Sequence, residues 1–550
     1  MKGLKQGLIF FNRLLVRLSF SITTNTGLIP YALAIFSGLS LTLAFPPFEQ
    51  DWLAWVALLP LAFLSAYRKV GIKESFCLGA IMGVVHYLTS LFWLTEVTWV
   101  GWIFLASYLA LYPMVWFCFW CRLLDPIPDN FTSVYNISRA WLGASAWVCL
   151  EWLRGWLFTG FPWNNIGVSQ VKVVGLTQIA EVGGGLIISW LVVQAGLTIC
   201  LTIRRLHLEA TRKQRTRAHM EFTCSALLIG ISLSYGMDKI FSEEEVKKQI
   251  TVLAVQPDLP QDPWKAGVSL EESIAKLEVL TQVGLMQYQG EDEIDLIIWP
   301  ETPVPHEIIS HGAFHEMMVD LNARTSNRLL LGSNVSLGYD SFNAAVLFEG
   351  LDEDPEFYYK MHLVPFGEFL PGRDLIPFLR KFIPIPKDFS SGTDLNPMEL
   401  EDKSISIIPL ICFEDIFSYL VRKKANQGGD LLVTITNDGW FNRSAESKQH
   451  LWNAIYRAIE VRRPMVRVGN NGVTCLISSN GFIEEKLADP VSGSTHDAGY
   501  LYLTVEMPPP EQTLYMKFGD WVPMVSFIMC LWWFLRALLK GYQITKISKE

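Results

Sequence analysis

Three residues of reactive type close short apolar runs, in the order acid, amine, thiol. Glu301 follows Ile297-Ile-Trp-Pro300, Lys360 ends Phe357-Tyr-Tyr-Lys360, and Cys412 ends Ile407-Ile-Pro-Leu-Ile-Cys412. A thiol attacks as its thiolate, so it needs a carboxylate to take its proton or a cation to favour the charge. A lysine beside an attacked carbonyl stabilises the oxyanion that forms, with the backbone N–H after the nucleophile as a second donor. Together the three suit attack of a thiol on a carbonyl carbon. Singly, each has an ordinary reading as a loop carboxylate, a solvated lysine or a core cysteine. The chemistry therefore depends on a fold that brings three strand ends to one place.

The surrounding pattern supplies such a fold. From Gln249 onward, β-rich runs occur at 250–255, 295–299, 329–331, 344–348, 357–360, 404–412, 431–436, 465–468, 475–478 and 500–505. Amphipathic stretches at 270–287, 311–325 and 447–461 lie between some of them. Continuous apolar strands alternating with helical periods predict an α/β domain whose sheets are covered by helices. Polar residues just past strand ends are where such domains place their sites.

This segment is held between stretches of another character. Half of the 550 residues are hydrophobic and 18% are charged, with 20 Trp and 33 Phe. Spanning helices of about 20 apolar residues are predicted near 27–45, 52–67, 75–95, 99–121, 139–158, 182–203, 222–237 and 521–538. Basic residues gather at the N-terminus, at Arg68/Lys69/Lys73, at Arg122/Arg139, at 204–217 and in the C-terminal tail. If eight helices alternate, all these fall on one face, which the positive-inside rule makes cytoplasmic. The predicted organisation is an amphipathic segment 1–20, helices one to seven in 21–238, an outer domain 239–517, and the eighth helix with a tail in 518–550. Residues 1–20 lack the short apolar region and cleavage site of a signal peptide and read as retained. Of nine cysteines only Cys412 and Cys475 fall in the polar segment, too few for a disulfide framework. The formal charge of −9 and the absence of a basic, aromatic-interleaved patch argue against nucleic acid. No metal-ligand cluster, phosphate loop or dinucleotide fingerprint occurs, so neither metal nor cofactor is expected. Glu151 and Arg154, three apart in one helix, read either as a functional intramembrane pair or as an interfacial anchor. The apolar, basic, Pro-interrupted run 369–389 reads either as an arm that contacts lipid or as an insertion packed on the domain.

Trp299-Pro-Glu301, Lys360 with Pro365-Phe-Gly-Glu368, and Cys412-Phe-Glu414, in that order, resemble the Glu-Lys-Cys triad of the nitrilase superfamily. Glu151-Trp-Leu-Arg-Gly-Trp156, Gly160-Phe-Pro-Trp163, Val255-Gln-Pro257 with Trp264, and the run from His362 to Pro371 extend the likeness over nearly the whole chain. With the eight-helix frame, the chain is similar to the membrane-embedded branch of that superfamily, the apolipoprotein N-acyltransferases. The resemblance implies a multi-pass α-helical membrane bundle of about eight helices carrying a nitrilase-like αββα sandwich. It makes Glu301 the general base, Lys360 the oxyanion stabiliser and Cys412 the nucleophile, with Glu368, Phe413 and Glu414 in support. Trp264, Asn343 and Trp440 would line the substrate site, although Asn343 reads equally as a turn residue. Phe413 stands where the family often has Tyr, and Gly439 where it commonly has Ala. The expected partners are a membrane phospholipid as acyl donor, diacylglyceryl-modified apolipoproteins as acceptors and the bilayer itself, with nothing calling for more than a monomer. The expected location is the bacterial inner membrane, with the catalytic domain in the periplasm and both termini cytoplasmic. Two rival readings are a membrane-anchored amidase or nitrilase that hydrolyses a soluble substrate, and a non-enzymatic transporter or sensor.

Overall fold

The computed structural model describes residues 27–124, 132–212, 218–242, 245–260, 267–290, 293–303, 307–324, 328–350, 354–373, 388–400 and 403–547. The chain divides into two compact units, one formed by residues 1–238 with 520–550 and the other by residues 239–519.

The first unit is helical. Each of the eight stretches expected to be apolar spans contains a helix, but they differ in length and polarity. Four helices among the described residues are long and apolar enough to cross a membrane: Trp99–Leu123, Gly185–Thr211, Met220–Phe241 and Trp521–Leu539. Ile29–Leu43 and Asp51–Tyr67 are apolar but shorter. Ser133–Arg154 is long, and its start is fixed by Thr132, whose hydroxyl accepts from the Tyr135 N–H at 3.1 Å. It also carries Arg139, Glu151 and Arg154, which lower its apolar character. Glu151 and Arg154 are both buried. Glu151 Oε1 accepts from Trp147 Nε1 at 2.8 Å and from the Ile166 N–H at 2.7 Å. Arg154 donates to the Tyr87 hydroxyl and to Asn165 Oδ1. The pair thus ties the helix end to the loop that follows it. The expected amphipathic segment 1–20 lies outside the described residues.

The second unit holds two six-stranded sheets. The first runs in the order β12-β1-β2-β3-β4-β5, with β1 Lys248–Gln256, β2 Leu296–Ile298, β3 Arg328–Leu337, β4 Asp340–Phe348, β5 Glu356–Tyr359 and β12 Gly499–Met507. The second runs β11-β10-β9-β8-β7-β6, with β6 Met398–Leu400, β7 Ile405–Ile411, β8 Leu431–Thr436, β9 Met465–Gly469, β10 Cys475–Ile477 and β11 Ile483–Lys486. Alternate side chains divide the central strands between two cores. Val252, Ile298 and Leu330 of the first sheet share one apolar cluster with Ile407, Val433 and Val466 of the second. Leu253, Ile297, Leu329 and Leu331 face the other way, against Ile274, Leu277, Phe314 and Met317 of helices Leu270–Gln287 and Gly312–Arg324. The second sheet is accompanied by the helix Glu446–Val461, buried at every residue but Lys448. Because both faces of each sheet are covered, the central strands read as unbroken apolar runs.

The expected strands and the three expected helices of this domain all occur. Two further strands, β6 and β11, and a helix, Ser418–Ala425, carried no such pattern. Both strands are short sheet edges, and all four residues of β11 are exposed, so burial imposes no apolar alternation on it.

Candidate active site

Three strand ends carry the candidate residues. β2 runs through Trp299 and Pro300 to Glu301, and the turn is tight, with Thr302 at φ +35°. A β-branched residue with positive φ is strained and persists only where its surroundings over-determine it. Gly332 on β3 makes that turn possible. A Cβ there would lie 2.5 Å from the Thr302 nitrogen and 2.6 Å from the Glu301 Cα, so only glycine lets the acid's backbone approach so closely. Lys360 directly follows β5, and its N–H donates to the Asn343 carbonyl at 2.8 Å. Cys412 follows β7 with φ +51°, a left-handed backbone that turns it out of the strand.

Lys360 is 1% exposed, and its ammonium contacts two carboxylates, Glu301 Oε1 at 3.2 Å and Glu368 Oε1 at 2.9 Å. Asn343 Nδ2 donates to the same two oxygens, at 2.8 Å and 2.9 Å. Asn343 therefore sits within β4 as the bridge between both acids and is not a turn residue. Glu368 Oε2 in turn accepts from the Val364 N–H at 2.7 Å. Burial alone would lower the Lys360 pKa, but Glu301 and Glu368 outweigh it and hold the ammonium well above the usual lysine range. Cys412 is half-buried. Burial pushes its thiol well above the ordinary cysteine value, Glu301 pushes it further, and Lys360 acts in the opposite direction. The thiol thus rests protonated, within the fields of a carboxylate and an ammonium.

Glu414 has a different task from Glu368. It is fully buried and accepts from the Ile411, Met361 and His362 N–H groups at 2.9, 2.8 and 3.2 Å, and from the Tyr358 hydroxyl at 2.8 Å. Its carboxylate pins the nucleophile turn to the strand end that carries Lys360. Phe413 packs in an aromatic group with His362 and Phe417. Trp440 lies in the turn Asp438–Phe441 beyond β8 and is 56% exposed. Trp264 and residues 374–387 of the apolar arm lie outside the described residues. The described ends of that arm return to the site, since the Phe389 N–H donates to the Glu368 carbonyl at 2.9 Å.

The arrangement can deprotonate a thiol and hold a developing oxyanion against a fixed, buried cation. Gly332 and Tyr358 were not anticipated. The Gly after Leu331 was the available signal for Gly332, since glycine inside a strand marks close backbone approach.

Comparisons with known proteins bear on the whole chain. The apolipoprotein N-acyltransferase N-terminal domain family matches residues 37–198, and the carbon–nitrogen hydrolase family matches residues 254–500. An apolipoprotein N-acyltransferase of Geobacter metallireducens is 31% identical over 471 residues, covering 82% of this chain and 86% of its own. One of Methylococcus capsulatus is 30% identical over 519 residues, covering 89% and 92%. One of Vibrio parahaemolyticus is 27% identical over 531 residues, covering 92% and 97%.

Proposed function

The chain belongs to the apolipoprotein N-acyltransferase family, and on that premise we propose that Cys412 carries a fatty acyl group from a membrane phospholipid to the N-terminal amine of diacylglyceryl-modified lipoproteins. The observation that carries this reading is the Lys360 ammonium, held between Glu301 and Glu368 at a strand end that Glu414 ties to the strained Cys412 turn.

In the first half-reaction Glu301 takes the Cys412 proton as the sulfur attacks the ester carbonyl of the phospholipid, at the sn-1 chain by family resemblance. The oxyanion is stabilised by Lys360 and by the Phe413 N–H. Collapse breaks the ester C–O bond, Glu301 returns the proton to the leaving oxygen, and a lysophospholipid departs. In the second half-reaction the neutral α-amine of the acceptor attacks the thioester, and Glu301 takes the proton that the nitrogen loses. The C–S bond breaks, Glu301 returns that proton to the Cys412 sulfur, and the product carries an amide. Splitting the transfer at a covalent intermediate replaces one hard step with two easier ones. Phe413 and Glu414 hold the nucleophile turn, Glu368 and Asn343 hold Lys360 and Glu301, and Trp264 and Trp440 contact the substrates.

The same reading takes the helical unit across the bacterial inner membrane eight times. The shorter and more polar helices pack among the four long ones, the carbon–nitrogen hydrolase domain is periplasmic, and both termini are cytoplasmic. The arrangement of basic loops supports this orientation. Mass spectrometry of the full-length enzyme incubated with phospholipid tests the proposal. We expect an acyl adduct on Cys412 that a diacylglyceryl-cysteine peptide discharges. Steady release of free fatty acid without an acceptor would instead indicate a hydrolase.

A further inference from the structure

Behind the nucleophile lies a cluster of charges that the two half-reactions do not use. Asp415, Asp438, Glu446, His450 and Arg467 are each at most 2% exposed. Asp415 belongs to the turn Cys412–Ile416, and Asp438 to the turn Asp438–Phe441 that carries Trp440. The two turns continue parallel neighbours, β7 and β8, with Ile411 opposite Ile435. Arg467 of β9 bridges them, with Nη1 2.6 Å from Asp415 Oδ2 and Nη2 3.1 Å from Asp438 Oδ2. His450 bridges them a second time, with Nε2 2.8 Å from Asp415 Oδ1 and Nδ1 3.1 Å from Asp438 Oδ1. Two carboxylates and two bases close a ring. Thr436, the last residue of β8, extends it, because its hydroxyl donates to Asp438 Oδ1 at 2.9 Å.

Asp438, Glu446 and His450 present donor atoms within 4.8 Å of one another, a spacing that would also suit a metal ion. Arg467 Nη2 stands 2.9 Å from His450 Nδ1, so a guanidinium already supplies the positive charge at that point. The question is then what so many buried charges hold in place. A non-glycine residue at φ +51° stays there only when its neighbours leave no alternative. Glu414 fastens one side of the Cys412 turn, and the ring fastens the other.

We propose that the Asp415–His450–Asp438–Arg467 ring is a positioning device that locks the Cys412 turn to the Trp440 turn, holding the thiol in its attacking orientation at a fixed distance from the exposed indole. The proposal rests on the reading of Cys412 as the acyl-carrying nucleophile. His450 and Arg467 act through the turns and touch no reacting atom.

The test uses the full-length enzyme in phospholipid micelles and follows acyl-Cys412 by mass spectrometry alongside the melting temperature. For His450→Gln we expect acylation at saturating phospholipid to slow at least tenfold while the half-saturating concentration changes less than twofold. The double variant D438N/H450Q removes one carboxylate and one base, which restores charge balance but not the bridge. We expect its melting temperature to return toward that of the unsubstituted enzyme and its acylation to remain at least tenfold slow. Acylation that recovers with the melting temperature, or is unchanged in His450→Gln, would overturn the positioning role. Absence of any adduct on the unsubstituted enzyme would remove Cys412 as the nucleophile, and the ring's role with it.

Discussion

Glu301→Gln separates the base from the scaffold that holds it. Glutamine keeps an oxygen that can accept from both Asn343 Nδ2 and Lys360 Nζ, the two contacts Glu301 Oε1 makes at 2.8 and 3.2 Å. What it removes is the group that takes the thiol proton. The Cys412 pKa lies well above its ordinary value of 9.0, first because the thiol is buried and then because Glu301 is near. At pH 7 a thiol with a pKa of 9 or more is at most about 1% thiolate, so loss of the base removes about 10² or more in rate, equivalent to about 3 kcal/mol. One effect opposes this. Without the Glu301 charge, Lys360 remains to lower the thiol pKa, so part of the loss is recovered as pH rises. The assay is single-turnover formation of acyl-Cys412 between pH 6 and 9. The enzyme with Glu301 should show a shallow profile, whereas the variant should start about 10² lower and climb close to tenfold per pH unit. A Glu301→Gln variant within tenfold of the unsubstituted enzyme at pH 7, with the same profile shape, would refute Glu301 as the base.

Lys360→Met removes a cation that two buried carboxylates share, so both the fold and the reaction should suffer. Leaving Glu301 and Glu368 uncompensated should lower stability by about 3–5 kcal/mol, read by chemical denaturation, and acylation should fall by about 10²–10³. Gly332→Ala puts a methyl 2.5 Å from the Thr302 nitrogen, displacing the Glu301 turn. We expect about 1–3 kcal/mol of destabilisation and about a tenfold or greater loss of acylation, with no change in phospholipid affinity. The charge ring also sets a pH window for stability. His450 would be lowered by burial, but Asp415 and Asp438 outweigh this and raise it to about 10, so its contribution is complete below about pH 6.5 and fades as pH climbs toward 10. Asp438 would be raised by burial, but Arg467 and His450 bring it to about 2, so its contribution holds above about pH 4 and is lost toward pH 2. Lys424, lowered by burial to about 7, works in the opposite sense to His450 on the alkaline side. The check is therefore a difference between melting curves of the enzyme and of His450→Gln, which should converge as pH approaches 10.

Sequence alone marked Glu301, Lys360 and Cys412 as candidates, because each ends an apolar run, and a buried strand advertises its own end. It was also enough to separate the helical stretches from the α/β segment, since charge is excluded from one and alternates with apolar runs in the other. Family resemblance supplied the order and the roles that local pattern could not. Tertiary structure decided how the set is held. Asn343 read equally as a site residue and as a turn residue until β4 ran through it and brought Glu301 and Glu368 to one amide. Gly332 lies about thirty residues from Glu301 in the chain, yet its missing side chain is what admits the acid's turn. The ring of Asp415, Asp438, His450 and Arg467 draws on two turns, a helix and a strand, and no local periodicity signals it. Hydrophobic pattern is set by each residue's own burial and can be read along the chain. Charge partners are set by which strand ends meet, and that is fixed only when the two sheets close.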